Sequence, residues 1–294
     1  MTEDDARWTK VNRTAQTVAA LRLLEQIGQG EHALVRDRCI PALLAADSLM
    51  EASFAGVRVP ARFGGDAHAI AAWIAEPGTD PDALRLAAHV DRLAIRCAAI
   101  DQLIADYVRD AHQLVIVGAG LDTRAFNLAA VSATTIFEAD FDHVLAWKAV
   151  RLKDFMPLCR RRVEVPGDIT AADFPARLRA SGFLPALPTI WLVEGVFVYL
   201  DSAQIDTLNR NMATLSAVGS RLIGTFMGAR SPATFTDGMV TRCDDPAALL
   251  DTYGWQTQTR HYADIAHAFG RRFPGNDDFY LAATAPRERS EMHD

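Results

Sequence analysis

Apolar residues recur at helical spacing through the first third of the chain. "RTAQTVAALRLLEQI", "IPALLAADSLMEASF" and "HVDRLAIRCAAIDQLIADYVRD" each carry such a stripe and predict helices. Between the last two, "VPARFGGDAHAIAAWIAEPGTDPDA" is broken by glycine and proline and predicts loop with a short helix. From residue 113 the pattern changes to short apolar runs. Strand candidates are Leu114–Val117, Thr134–Ala139, Arg162–Val165, Thr189–Val193, Ser220–Met227, Gln256–Arg260 and Asp278–Ala285, with helices between most of them. That alternation predicts an α/β fold with a mostly parallel sheet. The chain therefore reads as an N-terminal helical cap, 1–110, over an α/β core, 111–294, forming one structural unit. Ligands of such sheets sit at the carboxyl ends of the strands, where strand order reverses.

Composition narrows the class. Half of the residues are hydrophobic and 23% are charged, as in a globular protein with a large core. The net charge of −7 argues against a nucleic-acid partner, because phosphate binding needs a positive field. The basic run "CRRR" at 159–162 reads as a solvated strand edge. Four dispersed cysteines show no metal-ligand spacing, which predicts free thiols and no metal site. The acidic start "MTEDDARWTK" predicts no secretory signal, and no apolar run is long enough to span a membrane. The expectation is a cytoplasmic protein.

The chemistry gathers after the strands. In "QLVIVGAGLDTRAFNL", Gly118 and Gly120 allow a tight turn and close backbone approach. Position 123 is Thr, where a full dinucleotide fingerprint has its third glycine. Asp122 would repel a phosphate from the following helix start, so the turn suits a cofactor without phosphate there, even a cationic one. Asp122 also reads as an ordinary helix cap. Asp140 lies 20 residues past Gly120, the separation at which an acid takes adenosine ribose hydroxyls. Glu138, on the same strand face, competes for that role; Asp140 is preferred because it lies beyond the apolar run. Asp168 either accepts from an adenine amino group or is a turn residue ahead of a capping box in "TAAD", 170–173. In "TIWLVEGVFVYL", Glu194 stands at the end of a buried apolar strand, and a carboxylate placed there needs a partner. Arg96 sits on an otherwise apolar helix face, either as a fork for a carboxylate or as an exposed charge.

"VIVGAGLDTRAFNL", "FEADFDHVLAWKAVRL" and "PTIWLVEGVFVYL" together resemble the class I S-adenosylmethionine-dependent methyltransferases of the leucine carboxyl methyltransferase group. That group includes bacterial relatives acting on polyketide carboxyl groups. The resemblance covers nearly the whole chain. It implies a doubly wound, seven-stranded α/β sheet with a helical cap, and S-adenosylmethionine as cofactor. It puts Gly118 and Gly120 under the methionine part, Asp140 on the ribose, Asp168 and Ile169 beside the adenine, and Arg96 on the methionine carboxylate. Glu194 would lie near the amino or sulfonium end. Departures are "NLAAVSATT" after the glycine turn, "FDH" after Asp140, which introduces His143, and the unfamiliar "GARSPATFTDGMVTRC". The reaction expected is methyl transfer to an oxygen, preferably a carboxylate of a small molecule. Glu194, Tyr199 and His143 are the candidates for the reacting centre. The competing readings are a hydroxyl or phenol O-methyltransferase, an NAD-type oxidoreductase, and a non-catalytic binding protein.

Overall fold

Strand alternation builds the core. Leu114 and Ile116 of β1 (Gln113–Val117) enter one buried cluster, and Val115 and Val117 enter another on the opposite face of the sheet. A strand buried on both faces reads as a continuous apolar run, and β4 (Thr189–Val193) does the same. The computed structural model describes residues 3–44, 57–231, 239–271, 273 and 279–285, with side chains from residue 14 onward.

The other strands are β2 (Thr135–Asp140), β3 (Arg161–Pro166), β5 (Arg221–Met227), β6 (Thr257–His261) and β7 (Phe279–Thr284). They form one seven-stranded sheet in the order β3-β2-β1-β4-β5-β7-β6. All pairs are parallel except those of β7 with β5 and β6. Strand order reverses between β1 and β4, which opens a crevice at their carboxyl ends. β2 runs one residue further than its apolar stretch suggests. Asp140 is its last residue, paired with Pro166 of β3.

Helix α1 (Glu3–Gln29) packs on α2 (Ile40–Leu43), α3 (Ala67–Ala75) and α4 (Pro81–Tyr107). Helices α1, α3 and α4 share an apolar cluster that includes Leu24, Ile70, Leu86 and Leu93. α4 starts eight residues before the predicted stripe because Asp80 caps it, accepting from the Asp82 and Ala83 amides, with Pro81 in the first turn. The helix expected from Ile40 spans Ile40–Leu43; residues 45–56 lie outside those described. The remaining helices are α5 (Arg124–Asn127), α6 (Asp142–Leu152), α7 (Phe174–Ala180), α8 (Ser202–Thr214), α9 (Pro246–Asp251) and α10 (Tyr262–Ala268). Among the described residues no helix is long and apolar enough to cross a membrane.

Two local expectations change. The capping box in "TAAD" does not form: Thr170 bonds back to Asp168, and Asp173 instead pairs with Arg177 one turn on. The "CRRR" run is only partly a solvated edge. Arg162 reaches inward to Glu138 at 2.6 Å and to Glu164 at 2.8 Å.

Candidate functional site

The glycine turn after β1 is held by backbone geometry. Gly118 has φ 67° and Gly120 has φ 40°, both in the left-handed region that favours glycine. A Cβ on Gly118 would stand 2.5 Å from Val196 Cγ2, so packing against the β4 loop closes this position to any side chain. The Gly118 amide donates to the Ala139 carbonyl at 2.8 Å, which ties the turn to β2.

Asp140 lies against this turn. Its Oδ2 accepts the Gly120 amide at 2.6 Å and its Oδ1 the Phe141 amide at 2.7 Å. Burial raises its pKa, against the two amides and Lys148. Each oxygen keeps a further lone pair for a ligand hydroxyl. Glu138 serves otherwise. It is fully buried, with Lys148 at 2.8 Å and Arg162 at 2.6 Å. Lys148, itself fully buried, also donates to the Asp122 carbonyl at 2.7 Å.

At the end of β4, Glu194 receives two guanidiniums. Arg96 Nε lies 2.6 Å from its Oε1, and Arg124 Nη1 donates to its Oε2 at 2.7 Å. Burial alone would raise the Glu194 carboxyl. Arg124 and then Arg96 outweigh it and hold the group down at about 2. Arg124 also pairs with Asp101 at 2.5 Å and with Asp122. Asp122 takes the Arg124 amide at 2.8 Å as well, so its carboxylate is committed to the helix start and to Arg124. Tyr199 joins this end of the cleft: its hydroxyl bonds Thr14 of α1 and senses Arg96, and burial raises its pKa.

The remaining predicted residues lie on the β2 and β3 side. Asp168 is exposed, and its Oδ1 takes both the amide and the hydroxyl of Thr170 at 2.8 Å. Ile169 is half-buried against the core. His143 is exposed at the start of α6, stacked on Phe141 with ring centroids 5.7 Å apart. Desolvation lowers its pKa, and Asp140 and Asp142 oppose that shift.

Sequence reasoning left out Arg124, Asp101, Lys148 and the pair Arg22–Asp37. Arg22 pairs with Asp37 at 2.9 Å and donates to the Leu121 carbonyl at 3.0 Å. Asp37 accepts from Thr123 at 2.5 Å and from Asn127 at 2.6 Å. One signal was present for Arg124. A cation at a helix N-terminus opposes the dipole, so its presence there calls for acids nearby.

Known proteins resemble the chain at two levels. The sequence profile described as leucine carboxyl methyltransferase matches residues 15–213. A Frankia alni protein named as a candidate S-adenosyl-L-methionine-dependent methyltransferase is 35% identical over 61% of this chain and 66% of its own length. A similarly named protein of Mycolicibacterium smegmatis is 32% identical over 67% of this chain and 72% of its own. In structure, a DUF574 family protein from Streptomyces avermitilis aligns with TM-score 0.55 at 15% identity, covering 90% of this chain and 96% of that one. At that identity the likeness shows the fold, with the seven-stranded sheet and its flanking helices.

Proposed function

The chain belongs to the leucine carboxyl methyltransferase family, and on that premise we propose that it transfers a methyl group from S-adenosylmethionine to a carboxylate oxygen of a small molecule. The carrying observation is that Glu194, the carboxylate at the end of β4, has both oxygens engaged, Oε1 by Arg96 and Oε2 by Arg124. Glu194 is held at about 2, too weak a base to take a proton from an alcohol or phenol. Burial raises Tyr199 above its ordinary range, which leaves it protonated at neutral pH. His143 stands apart, exposed on the β2 side beside Asp140. A carboxylic acid with a pKa near ~4 is already ionised and needs no base.

The side chains present fit such a cofactor. Arg96 suits the methionine carboxylate and Glu194 the ammonium, because a zwitterion needs one charge of each sign. Asp140, with its spare lone pairs, suits the ribose hydroxyls, and Asp168 and Ile169 would border the adenine. S-adenosylmethionine, when bound, supplies an electrophilic methyl group on its sulfonium. The protein's part is to orient the acceptor in line with that bond and to exclude water. Positioning of this kind is worth up to roughly 7–11 kcal/mol. Tyr199, held between α1 and Arg96, would line the acceptor pocket and donate to the acceptor carboxylate.

The test is incubation of the purified chain with methyl-labelled cofactor and a panel of small carboxylic acids, phenols and cell extract. Label in an alkali-labile ester supports the reading. Label only in alkali-stable ethers would move the assignment to hydroxyl groups, and no transfer to any acceptor would favour a binding protein.

A further inference from the structure

The Glu194 cluster contains more charge than two ligand-binding residues require. Three carboxylates, Asp101, Asp122 and Glu194, meet two guanidiniums, Arg96 and Arg124. The cluster therefore holds one negative charge in excess. Arg22 and Asp37 pair with each other and add none.

The two guanidiniums are held differently. Arg124 is buried and bonds all three carboxylates. Its own amide is fixed by Asp122. Arg96 retains 21% side-chain exposure, and its described ion pair is with Glu194. The two oxygens of Glu194 are divided between them, Oε2 to Arg124 and Oε1 to Arg96.

We propose that Arg124 is the positioning residue of the cofactor site: it fixes Glu194 through Oε2, so that Oε1 faces the ligand's cationic end beside Arg96. The inference rests on the cofactor reading above. Arg124 itself touches no ligand. It keeps Glu194 charged and aimed, with Asp101 and Asp122 holding its fork in the required plane. A fork that bonds several carboxylates at once is something a lysine ammonium cannot reproduce. Groups facing Glu194 from the surrounding elements are Arg96, Cys97 and Asp101 of α4, Arg124 of α5, Arg22 of α1 and Tyr262 of α10.

Calorimetry on the full chain with S-adenosylhomocysteine and with adenosine, between about pH 5 and pH 8, tests this. Adenosine lacks the amino acid end and reports on the fold of the nucleoside side. Wild type should bind S-adenosylhomocysteine with little change across the range. Arg124→Gln should bind it about tenfold more weakly at the acid end, the scale of one charged hydrogen bond. Part of that loss should be recovered as pH rises, because a Glu194 without Arg124 titrates higher. Arg124→Lys keeps the charge, so its profile should stay flat at an intermediate affinity. Adenosine should bind all three within about twofold, a spread too small for a lost charged bond. Asp101→Asn, at a partly exposed side chain, decides the matter if Arg124→Gln does not fold. It should lose about two- to threefold for S-adenosylhomocysteine only, the scale of a half-exposed pair. Equal losses for adenosine, or unchanged S-adenosylhomocysteine binding in these variants, would overturn the positioning role. A wild type that binds neither ligand would overturn the cofactor reading itself.

Discussion

Glu194 and Asp168 stand at corresponding places, each just past the carboxyl end of a parallel strand, yet their surroundings differ in kind. Glu194 is gripped by arginines from α4 and α5, which hold its carboxyl well below the usual carboxylate range. Asp168 is exposed and bonds its own turn through Thr170. A strand end gives a carboxylate access to the crevice. Its partners decide whether it is a fixed charge for a ligand or a short-range fastening of the loop. Asp140 lies between the two cases: it is buried, yet it is held by amides, as Asp168 is, where Glu194 is held by guanidiniums.

Glu194→Gln should break the contrast most. It leaves two guanidiniums facing a neutral amide, and unpairing buried charge costs about 3–5 kcal/mol. Urea denaturation measures this. The acid limb gives the sign. The Glu194 pKa is lowered on folding from its ordinary 4.5 to about 2. Its stabilisation is therefore present above the ordinary value and is lost as pH falls through the folded one. The variant should lack that part of the acid transition. Equal stability and an unchanged acid limb would mean that Glu194 is no better anchored than Asp168.

Asp140→Ala comes next. It strands the Gly120 and Phe141 amides and removes the proposed ribose acceptor, for a loss of about 2–4 kcal/mol in S-adenosylhomocysteine binding. Its pH behaviour opposes that of Glu194. Burial raises the Asp140 pKa, so its contribution is full below the ordinary carboxylate value and is lost as pH rises through the folded one. A folded variant with unchanged affinity would remove the ribose role.

Asp168→Ala should cost about 1 kcal/mol of stability or less, the worth of ordinary exposed hydrogen bonds. Oδ1 is used by the turn, so contact with an adenine amino group would fall to Oδ2. The preference for adenosine over inosine should then narrow by about two- to tenfold. An unchanged preference would leave Asp168 as a turn residue alone.

The smallest effect is expected at His143. His143→Ala should keep at least about a tenth of wild-type turnover, since the ~10²–10⁴-fold of base catalysis is not called on for a carboxylate acceptor. A rate nearly flat between about pH 6 and pH 8.5 should accompany it, with no group titrating as a base. A hundredfold loss, about the minimum for a missing base, would reassign the acceptor to a hydroxyl.

Much of this was legible because it is local. A strand buried on both faces must be an apolar run, so β1 and β4 were visible with nearly correct ends. Gly118, Asp140 and Glu194 follow from those ends by counting. Long-range pairing was not legible. Arg22 and the carbonyl it bonds are 99 residues apart, and Arg124 and Glu194 are 70 apart. No periodicity encodes such a meeting. Glu138 and Asp140 share a strand face and residue class; the end of the apolar run favours Asp140 for the cleft, but that Glu138 is spent on Lys148 and Arg162 is seen only in the fold.

The Arg22–Asp37 pair has a consequence for protein engineering. Through Leu121, Thr123 and Asn127 it pins the N-terminal helices to the loop that carries the glycine turn. A chimera meant to change acceptor preference by exchanging those helices would part a guanidinium from its carbonyl if its junction fell at 111. The workable cassette either keeps Arg22 and Asp37 in the donor segment or carries 118–127 along with it.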